Sequence, residues 1–144
     1  MTQLTLSDLS QRMAQIDFAM LSTRAENGNI AARPMSNNGQ VAYDGDSYFF
    51  ALDTTHTVGE IERDPKVGLT FAGNKGASGQ PPIFIAVEGT AELSRDKARF
   101  QDHWDADLDN WFEQGVDTPG LVMIKVHATR IHYWAGKDEG ELTP

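Results

Sequence analysis

Apolar positions fall into two periods along this chain. Near the start, Leu6, Leu9, Met13 and Ile16 recur at spacings of three and four, which puts them on one stripe of a helix with Thr5 as its cap. From Phe18 the helical period is lost. Ala19, Met20 and Leu21 lead through Thr23 to Asn27-Gly28, a dipeptide suited to the positive φ angles of a tight hairpin, and a second strand is expected over residues 29–36. Asn38-Gly39 and Asp44-Gly45 repeat the turn signal. Val41, Tyr43 and the run 48–52 lie between and after them and read as meandering antiparallel strands.

The segment Asp53-Thr54-Thr55-His56-Thr57 then opens a short helix over 58–63, stopped by Asp64-Pro65, with Thr57 and Glu60 at capping-box spacing. Residues 67–71 are another strand. Residues 73–82, rich in Gly and Pro, form a loop whose spaced glycines lack the following helix that a phosphate-gripping motif requires. A long β segment follows over 83–93. Ser94 is the expected cap of a helical stretch in which Trp104, Leu108, Trp111 and Phe112 share an apolar face ending at Gly115. Residues 121–134 form the last strand. Its inward phase shifts from Ile124 and Val126 to Ile131 and Tyr133, which calls for a bulge near residues 127–129. The tail after Gly136 is acidic and reads as loose.

About six strands with short turns and three peripheral helical pieces exclude a doubly wound parallel sheet. The fold class is therefore mainly β with peripheral α, a small antiparallel barrel, in one domain spanning 1–144.

Composition narrows the function classes. With 40% hydrophobic residues among 144, one sizeable core can form. No stretch is long and apolar enough to span a bilayer, and the first residues lack a basic-then-apolar leader pattern, so a cytoplasmic address is expected. Cysteine is absent, which removes disulfides, thiolate metal sites and cysteine nucleophiles. A net charge of -9 without any Lys/Arg cluster argues against nucleic acid and membrane surfaces as partners.

The strand-to-helix junction carries the most suggestive chemistry. A helix starting at Thr57 presents free N–H groups and a positive dipole end, Thr54, Thr55 and Thr57 add hydroxyls, and Arg33 on a nearby strand can grip a phosphate with two parallel bonds. The competing reading is a plain helix cap beside a solvated edge arginine. Trp104, Trp111 and Phe112 read first as packing, and Trp134, near a strand end, reads equally as a ligand or an interface residue. His56, His103, His127 and His132 are scattered. His127 and His132, five apart across the bulge, are expected to face different ways, and no metal site is expected.

The segments Ile30-Ala31-Ala32-Arg33-Pro34-Met35-Ser36, Tyr48-Phe49-Phe50 through to Thr57, and Gly59-Glu60-Ile61 to Asp64-Pro65 resemble the flavin-binding half of general stress proteins in the pyridoxamine-5′-phosphate-oxidase-like superfamily. Trp111-Phe112-Glu113-Gln114-Gly115, the strand from Leu121 to Val126, and Tyr133-Trp134 are similar to the closing half of the same branch. The resemblance implies a six-stranded split β-barrel, a homodimer, and FMN, or alternatively FAD, at the subunit interface. Carried over, Arg33 and Thr54, Thr55, His56 and Thr57 would hold the phosphate. Pro34, Met35 and Ser36 would line the ring, and Trp111 and Trp134 would come from near the interface. The chain departs from the pattern at Thr57, where relatives commonly carry lysine. The expected function is a flavin-dependent oxidoreductase with a role in stress response, other than pyridoxamine phosphate oxidation. The alternatives are a flavin carrier or sensor without turnover, a cofactor-free structural dimer, and a barrel using deazaflavin or haem, the haem calling for an axial ligand such as His127 or His132.

Overall fold

The computed structural model describes residues 3–39, 41–76 and 79–144. The first helix, α1 (Leu6–Met13), starts as its sequence requires. The Thr5 side chain accepts from the Asp8 N–H while the Asp8 carboxylate accepts from the Thr5 N–H, closing a capping box that leaves Leu9 and Met13 buried. The hydrogen bond from Thr5 also holds the Asp8 carboxyl below the ordinary aspartate range.

Seven strands follow among the described residues: β1 (Phe18–Arg24), β2 (Ile30–Ser36), β3 (Asp46–Leu52), β4 (Lys66–Gly73), β5 (Ile83–Ser94), β6 (Leu121–Ala135) and β7 (Asp138–Leu142). β1 and β2 are the expected hairpin, with Gly28 at φ 87° in its turn. The order across the antiparallel sheet is β2-β1-β4-β5-β6-β3, with β7 also on β6. β3 therefore does not continue a meander. It crosses to the far edge and pairs with β6, which leaves β2 and β3 as the two ends of the curled sheet. One buried cluster takes side chains from α1 and from β1, β3, β4, β5 and β6, so the sheet wraps around it as a split barrel.

The long strand β6 explains how the edges are arranged. Its pairing with β5 shifts between Glu88 and Gly89, which face Arg130 and Ala128, so Thr129 is the extra residue of the expected bulge. Before the bulge the other side of β6 carries β3, and beyond it that side carries β7. The acidic tail is thus a paired edge strand, correcting the expectation of a loose end. Its backbone bonds are satisfied on β6, and Gly140 makes room for the buried Tyr133 ring.

Three further expectations change. Val41 and Tyr43 belong to no strand, because the Tyr43 N–H is bonded at 2.7 Å to the Ser10 hydroxyl on α1 and not to a neighbouring strand. The stretch after β5 is not one helix. Asp96, and not Ser94, caps α3 (Lys97–His103), and two separate 3-10 turns follow over Ala106–Asn110 and Gly115–Asp117. The loop expected over 73–82 begins one residue later, since Gly73 closes β4, and residues 77–78 of it lie outside the described residues.

Candidate functional site

The helix expected to begin at Thr57 begins earlier: α2 (His56–Arg63) is capped by Thr55, whose hydroxyl donates to the Leu52 carbonyl at 2.7 Å and accepts from the Val58 N–H. Thr57 is consequently inside the first turn and buried, and Glu60 is free of any capping-box role. Glu60, 5% exposed, instead accepts from the Thr23 hydroxyl at 2.6 Å and from Arg33 Nη2 at 3.0 Å. The Thr23 hydrogen bond, more than the Arg33 charge, holds its carboxyl below the ordinary glutamate range against the opposing effect of burial.

Arg33 is therefore neither solvated nor free. It stands on the edge strand β2, yet its side chain is only 21% exposed, and Nη1 also donates to the Thr23 hydroxyl and the Leu21 carbonyl. Of the five N–H donors of a guanidinium, three are engaged, so two remain for another acceptor. The buried pair joins β1, β2 and α2 at one point, which no single-segment pattern announces.

The next residues along β2 open onto the seam of the split barrel. Pro34, Met35 and Ser36 line a cavity of about 190 Å³ together with Phe18 of β1, Phe50 of β3, and Leu108, Trp111 and Phe112 from the segment after α3. Phe18 stands edge-on to Trp111, centroids 6.4 Å apart. Trp104 packs against Phe50 and Phe112 behind this wall, whereas Trp111 is 63% exposed and contributes a free aromatic face. Trp111, which reads first as packing, keeps the edge contact with Phe18 but is otherwise mostly exposed, because it caps the end of the 3-10 turn and does not continue an α-helical stripe.

The structure thus brings Pro34, Met35, Ser36 and Trp111 together, and ties them through Arg33 and Glu60 to the helix begun by Thr54, Thr55, His56 and Thr57. Trp134 is not among the cavity's lining residues. It stacks on His132 at 4.1 Å on the outward face of β6, paired across to Phe84. His127 and His132 share that outward face, since the extra residue at Thr129 restores the side that a spacing of five would reverse. His127 is held by Asp46 at 2.7 Å, and His132 lies 2.8 Å from Glu139 and 3.5 Å from Glu141. No group of potential metal ligands occurs among the described residues, and no helix there is long and apolar enough to cross a membrane.

The model of the pyridoxamine 5'-phosphate oxidase like family matches residues 5–143, nearly the whole of this curled antiparallel sheet and its peripheral helices. The chain belongs to this family. Solved members of similar fold include a Clostridium acetobutylicum protein related to general stress protein 26, of the pyridoxinephosphate oxidase family, 19% identical over 96% of this chain and 93% of that one with a TM-score of 0.79. General stress protein 26 from Bacillus anthracis is 23% identical over 94% and 98%, with a TM-score of 0.71. A heme binding protein from Mycobacterium smegmatis shares the fold at 13% identity, TM-score 0.75, over 99% of this chain and 60% of that one. Among curated proteins, none matches the chain.

Proposed function

We propose that this member of the family is a flavin-binding protein that holds FMN, or alternatively FAD, in the β2–β3 seam and uses it for redox chemistry. The observation that carries the reading is the seam cavity itself, where Pro34, Met35, Ser36, Phe50 and the exposed Trp111 ring offer a largely apolar lining against which an aromatic ring can pack. Bound flavin would supply hydride or electron transfer, with the protein providing orientation. At the polar end, the donors are the first-turn N–H groups of α2 that the Thr55 cap leaves free, the hydroxyl of Thr54, and the two uncommitted N–H groups of Arg33, while Thr57, buried in the first turn, is not among them. Because Glu60 already offsets the Arg33 charge, the ring contributes more of the affinity than the phosphate does.

A homodimer belongs to this reading. Phe18, Met20, Ile30, Phe84 and Trp134 are large apolar side chains left exposed, and a second copy would cover such a face and close the open side of the seam. A flavin carrier or stress sensor without turnover needs the same seam, so turnover with a nicotinamide donor separates it from an oxidoreductase.

The test is a titration with FMN, FAD and riboflavin, followed by quenching of flavin fluorescence, on the wild type and on Trp111→Ala. Saturation near one flavin per chain, weakened in the variant, supports the proposal. Absence of binding by all three would leave a cofactor-free dimer as the reading.

A further inference from the structure

We propose that the groove between the C-terminal end of α1 and the adjoining ends of β1 and β4 binds a small oxyanion, a phosphate ester or a carboxylate, with Arg12 as its principal cation. Arg12 is only 8% exposed. Its Nη2 donates to the carbonyls of Asn74 at 3.0 Å and Pro81 at 2.8 Å, which pin the following loop to the helix but bring no negative charge. A guanidinium withdrawn from water without a carboxylate is an uncompensated charge.

The other arginines make the contrast. Arg24, Arg33, Arg95 and Arg130 all pair with carboxylates, and Arg63 and Arg99 are exposed. Among the described residues, Arg12 alone is buried with no carboxylate in ion-pair reach, in a chain with 21 acidic residues against 12 basic ones. Acidic side chains were available in excess, yet none among the described residues stands within ion-pair reach of Arg12.

The groove beside it measures about 440 Å³ and is lined by Arg12, Gln15, Asp17, Phe18, Asn74 and Lys75, among others. Both protein bonds of Arg12 leave from Nη2, which leaves the Nη1 N–H groups as donors for an anion and the positive charge of the guanidinium unmatched. Lys75, exposed and without an ion pair among the described residues, supplies a second positive charge, and Gln15 supplies amide donors. The Asp17 carboxylate on the same groove repels an anion and confines it to the Arg12–Lys75 side. Phe18 borders both this groove and the seam cavity, so a ligand anchored here by its charged end lies one ring away from the seam. The anion site itself does not rest on the flavin reading.

The experiment is NMR titration of the full, isotope-labelled chain with inorganic phosphate and, separately, with acetate at constant ionic strength. The expected result is saturable shifts of the Arg12 Nε–H and of the Asn74 and Lys75 amides, with an apparent affinity about tenfold weaker in Lys75→Glu. That substitution sits on an exposed loop and leaves the fold intact, unlike changes at Arg12. Shifts with phosphate alone assign a phosphate ester, and equal shifts with acetate assign a carboxylate. The proposal is overturned if neither anion moves the Arg12 signal, or if Lys75→Glu responds as the wild type does.

Discussion

Replacing Glu60 by Leu removes the carboxylate that two buried partners share. The Thr23 hydroxyl loses a 2.6 Å acceptor and Arg33 loses its ion pair, while the guanidinium stays four-fifths covered. Breaking a buried pair from one side costs about 3–5 kcal/mol, and the fifth of Arg33 that water still reaches puts the value near the lower end, about 3 kcal/mol. At this chain length that corresponds to a melting temperature roughly 10 °C lower at pH 7. The pH dependence fixes the cause. A carboxyl held below its ordinary value of 4.5 contributes in full above that pH and loses its contribution as pH falls from there through the folded value. The gap between wild type and variant in urea unfolding should therefore be constant from pH 8 to about 5 and narrow below pH 4.5. Melting temperatures within about 2 °C of each other, or a gap that does not narrow in acid, would refute the reasoning.

Trp111→Ala should leave the melting temperature nearly unchanged, because the ring is mostly exposed, while weakening flavin binding several-fold through loss of about 1 kcal/mol of ring contact. Calorimetry and the fluorescence titration check the two halves. Gly89→Ala would drive a methyl group into the His127 carbonyl beside the bulge and should cost about 1–3 kcal/mol in urea unfolding, since backbone and not a flexible side chain must yield. Thr5→Ala removes the cap of α1 and should cost about 1 kcal/mol, seen as a melting point roughly 3 °C lower. Arg33→Ala should lower stability as well as flavin affinity, because Glu60 is then left buried without its cation; a thermal melt unchanged by the substitution would count against the buried network.

The parts of the fold that were legible are those whose signals are local. The stripe and cap of α1, the Asn27-Gly28 hairpin, the Asp64-Pro65 stop and the phase slip along β6 each follow from a few neighbouring residues. What failed depended on partners far along the chain. Thr55 and Thr57 are equally good caps by type, and the choice falls to Thr55 because Thr57 and Val58 turn into the core beside β1. The 138–142 segment looked like solvent-exposed tail because an edge strand on a charged surface carries acidic residues, and only Gly140 under Tyr133 hints at pairing. At the candidate site, Pro34, Met35 and Ser36 were named for the ring, and the cavity does gather them. Phe18, Phe50 and Phe112 join them from three other segments, and no spacing rule links those. The Arg33–Glu60 pair was invisible for the same reason, its members lying 27 positions apart.

The central claim is that flavin occupies the seam, and the direct measurement is mapping of bound FMN on the isotope-labelled protein by NMR. Shifts gathered at Phe18, Met35, Ser36 and the Trp111 indole, with a smaller set at residues 54–57, are expected. Unchanged spectra, or shifts gathered instead around the separate cavity beside Tyr43 and Tyr48, would contradict it.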